Sequence, residues 1–566
     1  MFRAQLLALM LVPLALSAVP ARAQIERREL APLPGVGAAE PEPAAPAGRS
    51  RSRLENGAAA PDRAPPPAFG PAIVGEGSPL PGDVWRGLDP DAMQKLLAAA
   101  PLPSPSPTLA MLIGNALAAG AEGGGPEIAL RVEALERAGR VEDAVKLLGG
   151  AAEAQEPGAS GRYAVALIAA GREDEACGLA LGRAPEAARA NGEAKRATFL
   201  VPAYCAASKG DKQGAALALQ LARDSGVDAP LAFAAMDRLT KASSRGVPLP
   251  RNLDVLDYVF LKLDPKGPPG DVAAKATPTL LFLLSHDAGA PPELRLAAAE
   301  RAAALNVIDG GALAGAYREA APKLGKQAQS APALRARLFA ALEAAPSAKI
   351  RAESIDALLA SGRDAGIEIP LGQALAQASA GLALDPQAAG FALTGVRVAA
   401  LAGDDQSAWA WVDAGGGPLQ SWQLLIAASD PFGPRAEEAL AMGVDIAAKG
   451  GLPPPLLHRL VTVLDALDYD VPIPLWDAVS KTPQPSEGYL PATGVLSALK
   501  EAANAGDIGR TVLLAASALG PKGPAGANLI ALGDVVRALK RVGLDAEARR
   551  IGFEALYAIW PARGKA

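Results

Sequence analysis

The sequence predicts an all-α fold, and three observations lead to that class. Half of the 566 residues are hydrophobic but only 4% are aromatic, so alanine and leucine supply much of the apolar content. Alanine is the strongest helix former, whereas β-sandwiches and barrels are enriched in aromatic and β-branched residues. From about residue 86 to 560, helix-length amphipathic segments alternate with short Gly, Pro or Asp turns, and one glycine junction recurs.

Residues 1–23 have the form of a secretory signal peptide. Met1-Phe2-Arg3 is cationic, the segment from residue 6 to 19 is almost wholly apolar, and Ala21-Arg22-Ala23 fits a signal-peptidase site. The apolar run is too short to span a bilayer, and a cleavage site follows it. We expect cleavage between Ala23 and Gln24 and a periplasmic or secreted mature protein without stable membrane insertion. An uncleaved anchor is the alternative.

Residues 24–84 form a separate region rich in Pro and Ala. Pro41 to Pro46 and Pro65 to Pro67 illustrate the composition, and apolar periodicity is missing. Proline removes backbone donors and disfavours helix at the preceding residue, so we predict a disordered, semi-extended linker. It is either a tether that lets the body reach across the envelope or a neutral low-complexity tail.

Residues 85–566 carry helix start signals. Asp89-Pro90 and Ser106-Pro107 each place a capping side chain before a proline, which suits the first helical position. Pro292 opens another segment, and Glu293 in its first turn interacts favourably with the helix dipole. We therefore predict helices beginning at these three points.

A junction recurs in which a helix ends in a small residue and Gly, then a polar pair, then Ala opens the next helix. Glycine can adopt the left-handed conformation that ends a helix, and the downstream Ala allows two helices to approach closely. These features predict tight helical hairpins. The junction glycines are Gly139, Gly171, Gly210, Gly403 and Gly543, with looser copies at Gly362 and Gly506.

At these junctions the chain resembles tetratricopeptide-like (TPR-like) repeats. The first two junction glycines are 32 residues apart and the next gap is 39, near the family period of about 34. The resemblance is strongest over residues 125–225, although the helix-A aromatic and the closing proline are not regularly present. It implies a right-handed α-solenoid of antiparallel hairpins whose concave surface binds a peptide or another protein. The length of the helical region, about 475 residues at around 40 per hairpin, predicts roughly ten to twelve hairpins.

Three apolar-Pro-apolar steps precede helical stretches. They lie at residues 247–250, 369–371 and 471–474. Because proline favours extended backbone before it, we interpret them as extended connectors between hairpins rather than as exposed recognition strands.

The two cysteines, Cys177 and Cys205, fit an oxidising compartment. We predict one helix from about residue 173 to 184, a turn at 185–192 and a second helix from about 195 to 209. The midpoint between the cysteines falls in that turn, so their sulfurs could meet across adjacent antiparallel helices as a disulfide. Two buried free thiols are the alternative.

No catalytic, cofactor-binding or metal-ligating residue can be singled out. The only histidines, His286 and His458, are far apart in sequence, and Ser285-His286-Asp287 is interpreted as a helix-end turn rather than a triad. Gly415 to Pro418 lacks the strand and lysine of a phosphate loop and is interpreted as a turn. With 55 basic and 60 acidic residues, the chain has no electrostatic signature for nucleic acid.

Trp409, Trp411 and Trp422 cluster around the glycine-rich turn in a chain poor in aromatics. They form either an interaction surface, because tryptophan is enriched at binding hot spots, or part of the core. Tyr557 and Trp560, at the end of the last helix, are expected to seal the terminal repeat.

These observations predict a non-enzymatic helical-repeat scaffold or adaptor that binds a protein partner in the cell envelope. A cell-wall or polysaccharide-export structural protein is the alternative. The accessory domain of an enzyme is the third possibility, and no cofactor is expected.

Overall fold

The structure is a computed structural model that describes residues 80–119, 126–153, 159–180, 192–239 and 247–561. All of them belong to one compact unit, Pro67–Ala566. The predicted signal peptide, the Ala23–Gln24 cleavage site and most of the predicted linker lie outside the described residues. Within the described ranges the chain forms 28 α-helices and no strand, with two isolated parallel bridges, Leu253–Ala276 and Tyr489–Ala527. The predicted all-α class is confirmed.

The helices of the described part follow one another with short connections. The first fourteen are α1 (Pro90–Ala99), α2 (Pro107–Ala118), α3 (Pro126–Ala138), α4 (Val141–Glu153), α5 (Ala159–Ala169), α6 (Glu173–Ala180), α7 (Gly192–Ser208), α8 (Lys212–Asp224), α9 (Pro230–Leu239), α10 (Val255–Leu263), α11 (Val272–Lys275), α12 (Pro278–His286), α13 (Pro292–Ala304) and α14 (Gly310–Ala320). The remainder are α15 (Ala331–Glu343), α16 (Ala348–Asp364), α17 (Glu368–Ser379), α18 (Ala392–Ala402), α19 (Asp405–Gly415), α20 (Gln420–Ser429), α21 (Ala436–Ala448), α22 (Pro454–Ala466), α23 (Ile473–Ser480), α24 (Val495–Ala505), α25 (Ile508–Leu519), α26 (Gly523–Gly526), α27 (Leu529–Arg541) and α28 (Asp545–Tyr557).

The predicted helix starts are confirmed. The Asp89 carboxylate accepts from Ala92 N at 2.9 Å, and Pro90 is the first residue of α1. Ser106 Oγ accepts from Leu109 N at 3.2 Å at the start of α2. Helix α13 begins at Pro292 with an acidic residue in its first turn.

The junction glycines end helices as predicted, with one exception. The five principal ones have φ between 74° and 85°, the left-handed region, and Gly506 has φ 77° after α24. The prediction for Gly362 is wrong, because this residue lies inside α16. A Cβ there would come within 2.5 Å of Leu371 Cδ2, so Gly362 serves close helix packing, and Gly366 with φ 72° makes the turn.

The proline connectors are only partly as predicted. Residues 247–250 lie outside any helix, as expected for a connector. Ile369 and Pro370 instead belong to the first turn of α17, where a missing N–H leaves no intrahelical bond unmade. Val471 and Pro472 precede α23, but Ile473 already begins that helix.

Helices that follow each other in sequence pack together, as in an array of hairpins. Examples are α3 on α4, α7 on α8, α12 on α13 and α18 on α19. Other contacts join distant parts of the chain, because α2 packs against both α25 and α28, and α20 also packs against α28. In a simple solenoid each repeat contacts only its neighbours. These long-range contacts depart from that pattern, and a right-handed solenoid stays a prediction.

The beginning of the described chain contributes to the core. Val84 and Trp85 are buried, although the predicted linker extended to residue 84. Trp85 Nε1 donates to Ala116 O at 2.8 Å, and Gly509 N donates to Val84 O at 3.2 Å. The folded body thus includes residues just before 85.

None of the helices in the described part is both long enough and apolar enough to cross a membrane.

Candidate binding cavity at a helix junction

One cavity lies where helices from the whole length of the unit converge. It has a volume of about 600 Å³ and opens to solvent. We call it the junction cavity. Residues that line it come from α2, α4, α12, α14, α17 and α28, and include Thr108, Met111, Arg140, Asp143, Lys146, His286, Asp309, Ala312, Gln373 and Arg550.

Side chains on one face of the last helix, α28, contact several of the helices that surround the cavity. Arg550, Glu554 and Tyr557 have the i, i+4, i+7 spacing that places side chains on the same side of a helix. Arg550 donates to Ala400 O at 2.8 Å and to Leu401 O at 2.5 Å, at the carboxyl end of α18. A cation at a helix carboxyl end interacts favourably with the helix dipole. Tyr557 Oη donates to Glu368 Oε1 on α17 at 3.0 Å.

Glu554 places a carboxylate at the amino end of α2. Its carboxylate accepts from Ser106 Oγ at 2.5 Å, from Thr108 Oγ1 at 2.6 Å and from Thr108 N at 3.1 Å. Burial raises the pKa of Glu554, and the hydrogen bonds from Ser106 and Thr108 oppose that rise. Because all three residues are buried, the contact between α28 and the start of α2 is a buried polar network.

Glycines set the close approach of the cavity walls. A Cβ at Gly114 would meet Arg140 Cζ at 2.7 Å, and one at Gly139 would meet Val307 Cγ1 at 2.7 Å. A Cβ at Gly310 would lie 2.5 Å from Pro370 O, so α14 and α17 approach through backbone. At the contact of α14 with α17 the shape of the cavity is therefore set by backbone packing.

Most charged groups that line the cavity are already engaged. Arg140 Nε donates to Asp143 Oδ2 at 2.7 Å, and the ammonium of the mostly exposed Lys146 lies 4.0 Å from the same carboxylate. Asp309 accepts from Ala312 N at 2.7 Å and so caps α14. These carboxylates are partly neutralised by groups on their own helices.

Arg550 differs from the other cations of the cavity. No carboxylate lies within 4.0 Å of its guanidinium among the described residues, and its two hydrogen bonds go to carbonyl oxygens. Burial lowers the pKa of Arg550, against the opposing effect of Glu554 and then Asp405. Two bonds use two of the five guanidinium N–H groups, so three donors remain for other partners.

A second cavity provides a contrast. It has a volume of about 650 Å³ and is lined by Arg196, Asp254 and Asp257. Arg196 forms ion pairs with both aspartates, the one to Asp257 at 2.6 Å. Burial and the neighbouring Asp254 raise the pKa of Asp257 to about 6, although Arg196 opposes the rise. In this cavity two carboxylates form ion pairs with Arg196. In the junction cavity no described carboxylate lies within 4.0 Å of Arg550.

The structure joins Cys177 on α6 and Cys205 on α7 in a disulfide, with the Cα atoms 5.6 Å apart. The turn between them, residues 181–191, lies outside the described part. Tyr204, next to Cys205, donates to Glu173 Oε2 at 2.7 Å and thus adds a second link between the two helices.

The three tryptophans do not form a common surface. Trp411 and Trp422 are 2% and 1% exposed, so they belong to the core and cannot serve as contact residues. A Cβ at Gly395 would clash with the Trp411 ring, which shows how tightly that ring is packed. Trp409 is half-buried and lies under the Arg435 guanidinium, 4.2 Å from it. Of the three, only Trp409 is partly exposed.

The remaining predicted residues have structural positions. His286 ends α12, and its Nδ1 lies 2.8 Å from Phe282 O, while Asp287 follows as the cap. His458 is buried in α22 with Nε2 3.0 Å from Thr482 Oγ1. Trp560, after α28, is buried as well. The described residues contain no group of three or more His, Cys, Asp or Glu able to hold a metal ion, so neither histidine belongs to such a group.

Sequence reasoning missed Arg550, Glu554 and the junction cavity. The available signal was the spacing of Arg550, Glu554 and Tyr557 along one face of an alanine-rich helix. What those residues contact could not be inferred from spacing.

No protein-family model, curated protein or solved structure matches this chain.

Proposed function

We propose that this chain is a TPR-like, non-enzymatic scaffold or adaptor of the cell envelope, exported by its amino-terminal signal, that holds a protein partner. The observation that supports the proposal best is the junction cavity. Its volume lies within the range of roughly 300–1,000 Å³ that is usual for ligand sites.

The construction of the cavity suits binding to a preformed site. Its walls come from helices separated by more than 400 residues and are tied by the contacts of Arg550 and Glu554. Glycine contacts hold α14 against α17, so little ordering is needed when a ligand enters. A site whose shape exists before binding loses less conformational entropy on association.

Affinity capture tests the proposal. Tagged full-length precursor would be expressed and exported, and the recovered protein would be incubated with envelope extract and, separately, with purified sacculi. The amino-terminal residue of the recovered protein would be sequenced as well. We expect Gln24 as the first residue and a stoichiometric protein partner retained without sacculi.

A matched variant makes the capture specific. Ala312→Phe fills the junction cavity from α14, whereas Arg537→Lys changes a surface ion pair of α27 with Asp465. The partner should be lost from the first variant and kept by the second. Retention on sacculi alone would replace the adaptor by the cell-wall alternative, and recovery of neither would overturn the proposed function.

A further inference from the structure

We infer that the junction cavity receives a carboxylate group of the partner polypeptide and that Arg550 binds it. This inference rests on the proposed function, because it names the chemical group by which the partner is held. The carboxylate can come from a chain terminus or from an Asp or Glu side chain, and the experiment below separates these sources.

The first support is that Arg550 forms no ion pair with a carboxylate among the described residues. Arg550 is half-buried and lines the cavity, and among the described residues its guanidinium donates only to Ala400 O and Leu401 O. Its carbon Cζ also lies 4.3 Å from the centre of the Phe553 ring. A planar guanidinium with N–H donors left over matches the planar geometry of a carboxylate.

The second support is that the acidic groups of the cavity do not neutralise Arg550. Asp143 is engaged by Arg140, and Asp309 caps its own helix. Glu142, which also lines the cavity, is exposed at its rim. Glu554 lies one turn away on α28, but its oxygens accept from Ser106 and Thr108. Glu554 and Asp405 act on Arg550 electrostatically without a direct ion pair. Among the described residues an incoming carboxylate would therefore be the first to lie within 4.0 Å of the guanidinium.

Peptides of defined ends test the inference by calorimetry with the full-length protein. The probes are trialanine with a free carboxylate, trialanine amide, doubly capped Ala-Glu-Ala and inorganic phosphate. We expect trialanine or the capped glutamate peptide to bind at least about tenfold more tightly than trialanine amide, since a charge-assisted pair contributes about that factor. Binding of trialanine assigns the chain terminus, and binding of capped Ala-Glu-Ala assigns a side chain.

Variants locate the binding. Arg550→Lys keeps the charge but loses the fork, and we expect it to weaken the carboxylate peptide about tenfold. Ala312→Phe should abolish binding without touching Arg550, and Arg537→Lys should change nothing. Circular dichroism checks that each variant is folded, so a misfolded Arg550→Lys protein leaves Ala312→Phe as the deciding variant.

Three results would overturn the inference. They are equal binding of the acid and the amide, binding of phosphate alone, and no binding of any peptide at millimolar concentration. Should the Ala312→Phe protein still capture the envelope partner, the cavity is not the site although the adaptor function stands. Failure of the wild-type protein to capture any partner counts against the adaptor function itself.

Discussion

Gly310 shows how a single residue fixes the distance between two helices. A Cβ there would lie 2.5 Å from Pro370 O and 2.7 Å from Ala374 N, and backbone atoms cannot move aside as a flexible side chain can. We expect Gly310→Ala to destabilise the protein by about 2 kcal/mol or more, because α14 must separate from α17.

A control for this prediction lies on the same helix. A Cβ at Gly315 would meet nothing within 4 Å, so Gly315→Ala should stabilise by up to about 1 kcal/mol through helix propensity alone. Urea denaturation of the two variants gives the comparison. Equal effects of the two substitutions would contradict the close packing of α14 on α17.

Asp405 is predicted to make stability depend on pH. Burial raises its pKa to about 6 from 3.8, with Arg550 opposing the rise. A carboxyl whose folded pKa is raised binds more protons in the folded than in the unfolded state between these values. Its contribution is therefore fully present below pH 3.8 and is lost as pH rises through about 6.

The variant Asp405→Asn tests this assignment. It should remove part of the pH dependence between about pH 4 and 6 and raise stability at pH 7.5 by up to about 2–3 kcal/mol. Asp413→Asn is the control, since the hydrogen bond from Arg435 lowers the pKa of the surface residue Asp413. The measurement is the denaturation midpoint of each protein at pH 4.5 and at pH 7.5. If the difference between the two midpoints is the same in Asp405→Asn as in the wild type, Asp405 does not have this role.

At this scale the sequence allows good prediction of local events. The caps at Asp89 and Ser106 and the left-handed Gly139 depend on neighbours in sequence, and each has the expected conformation. Gly362 was misassigned because the same residue type can end a helix or permit close packing. Only its neighbour Leu371 distinguishes the two, and that contact belongs to the tertiary structure.

At the scale of elements, the disulfide between α6 and α7 is predicted to stabilise this part of the array. The cysteines are 28 residues apart, and cross-linking a loop of that length contributes roughly 3–4 kcal/mol by restricting the unfolded chain. Reduction with dithiothreitol should lower the denaturation midpoint accordingly. The Cys177→Ser/Cys205→Ser protein should have the lower midpoint already and should not respond to reductant, and a response would show that the reductant acts elsewhere.

Elements were predictable where the sequence pattern is unambiguous. The all-α class followed from alanine content and helix-length periodicity, and the helices paired with sequence neighbours as the glycine junctions indicated. The Pro370 step was misinterpreted because proline is equally compatible with a connector and with the first helical turn.

At the scale of the whole unit, α28 is predicted to protect α2 from local opening. Glu554 caps the amino end of α2 across 448 positions of sequence. In Glu554→Ala the donors of Ser106 and Thr108 lose their partner in a buried place, which costs free energy for each unsatisfied group. Hydrogen exchange should therefore accelerate in Pro107–Ala118 more than in Lys212–Asp224.

The control replaces Glu501, an exposed residue of α24, by Ala and should leave both helices unchanged. Uniform acceleration across α2 and α8 in the Glu554→Ala protein would mean that the contact acts only on global stability.

The junction of distant helices is the part that one sequence could not provide. Arg550 and Glu554 are ordinary surface residues by type, and nothing local indicates that they reach Ala400 and Ser106. Their role depends on α28 returning to the start of the chain, which requires long-range contacts that periodicity does not encode.

Site-specific photo-crosslinking tests the central claim that the junction cavity holds a protein partner. A photoreactive residue would replace Met111, which lines the cavity, or Leu217, which is 70% exposed on α8 as a control. After irradiation of the protein mixed with envelope extract, we predict one protein adduct at position 111 that is absent at position 217. No adduct at 111, or the same adducts at both positions, would contradict the proposed binding site.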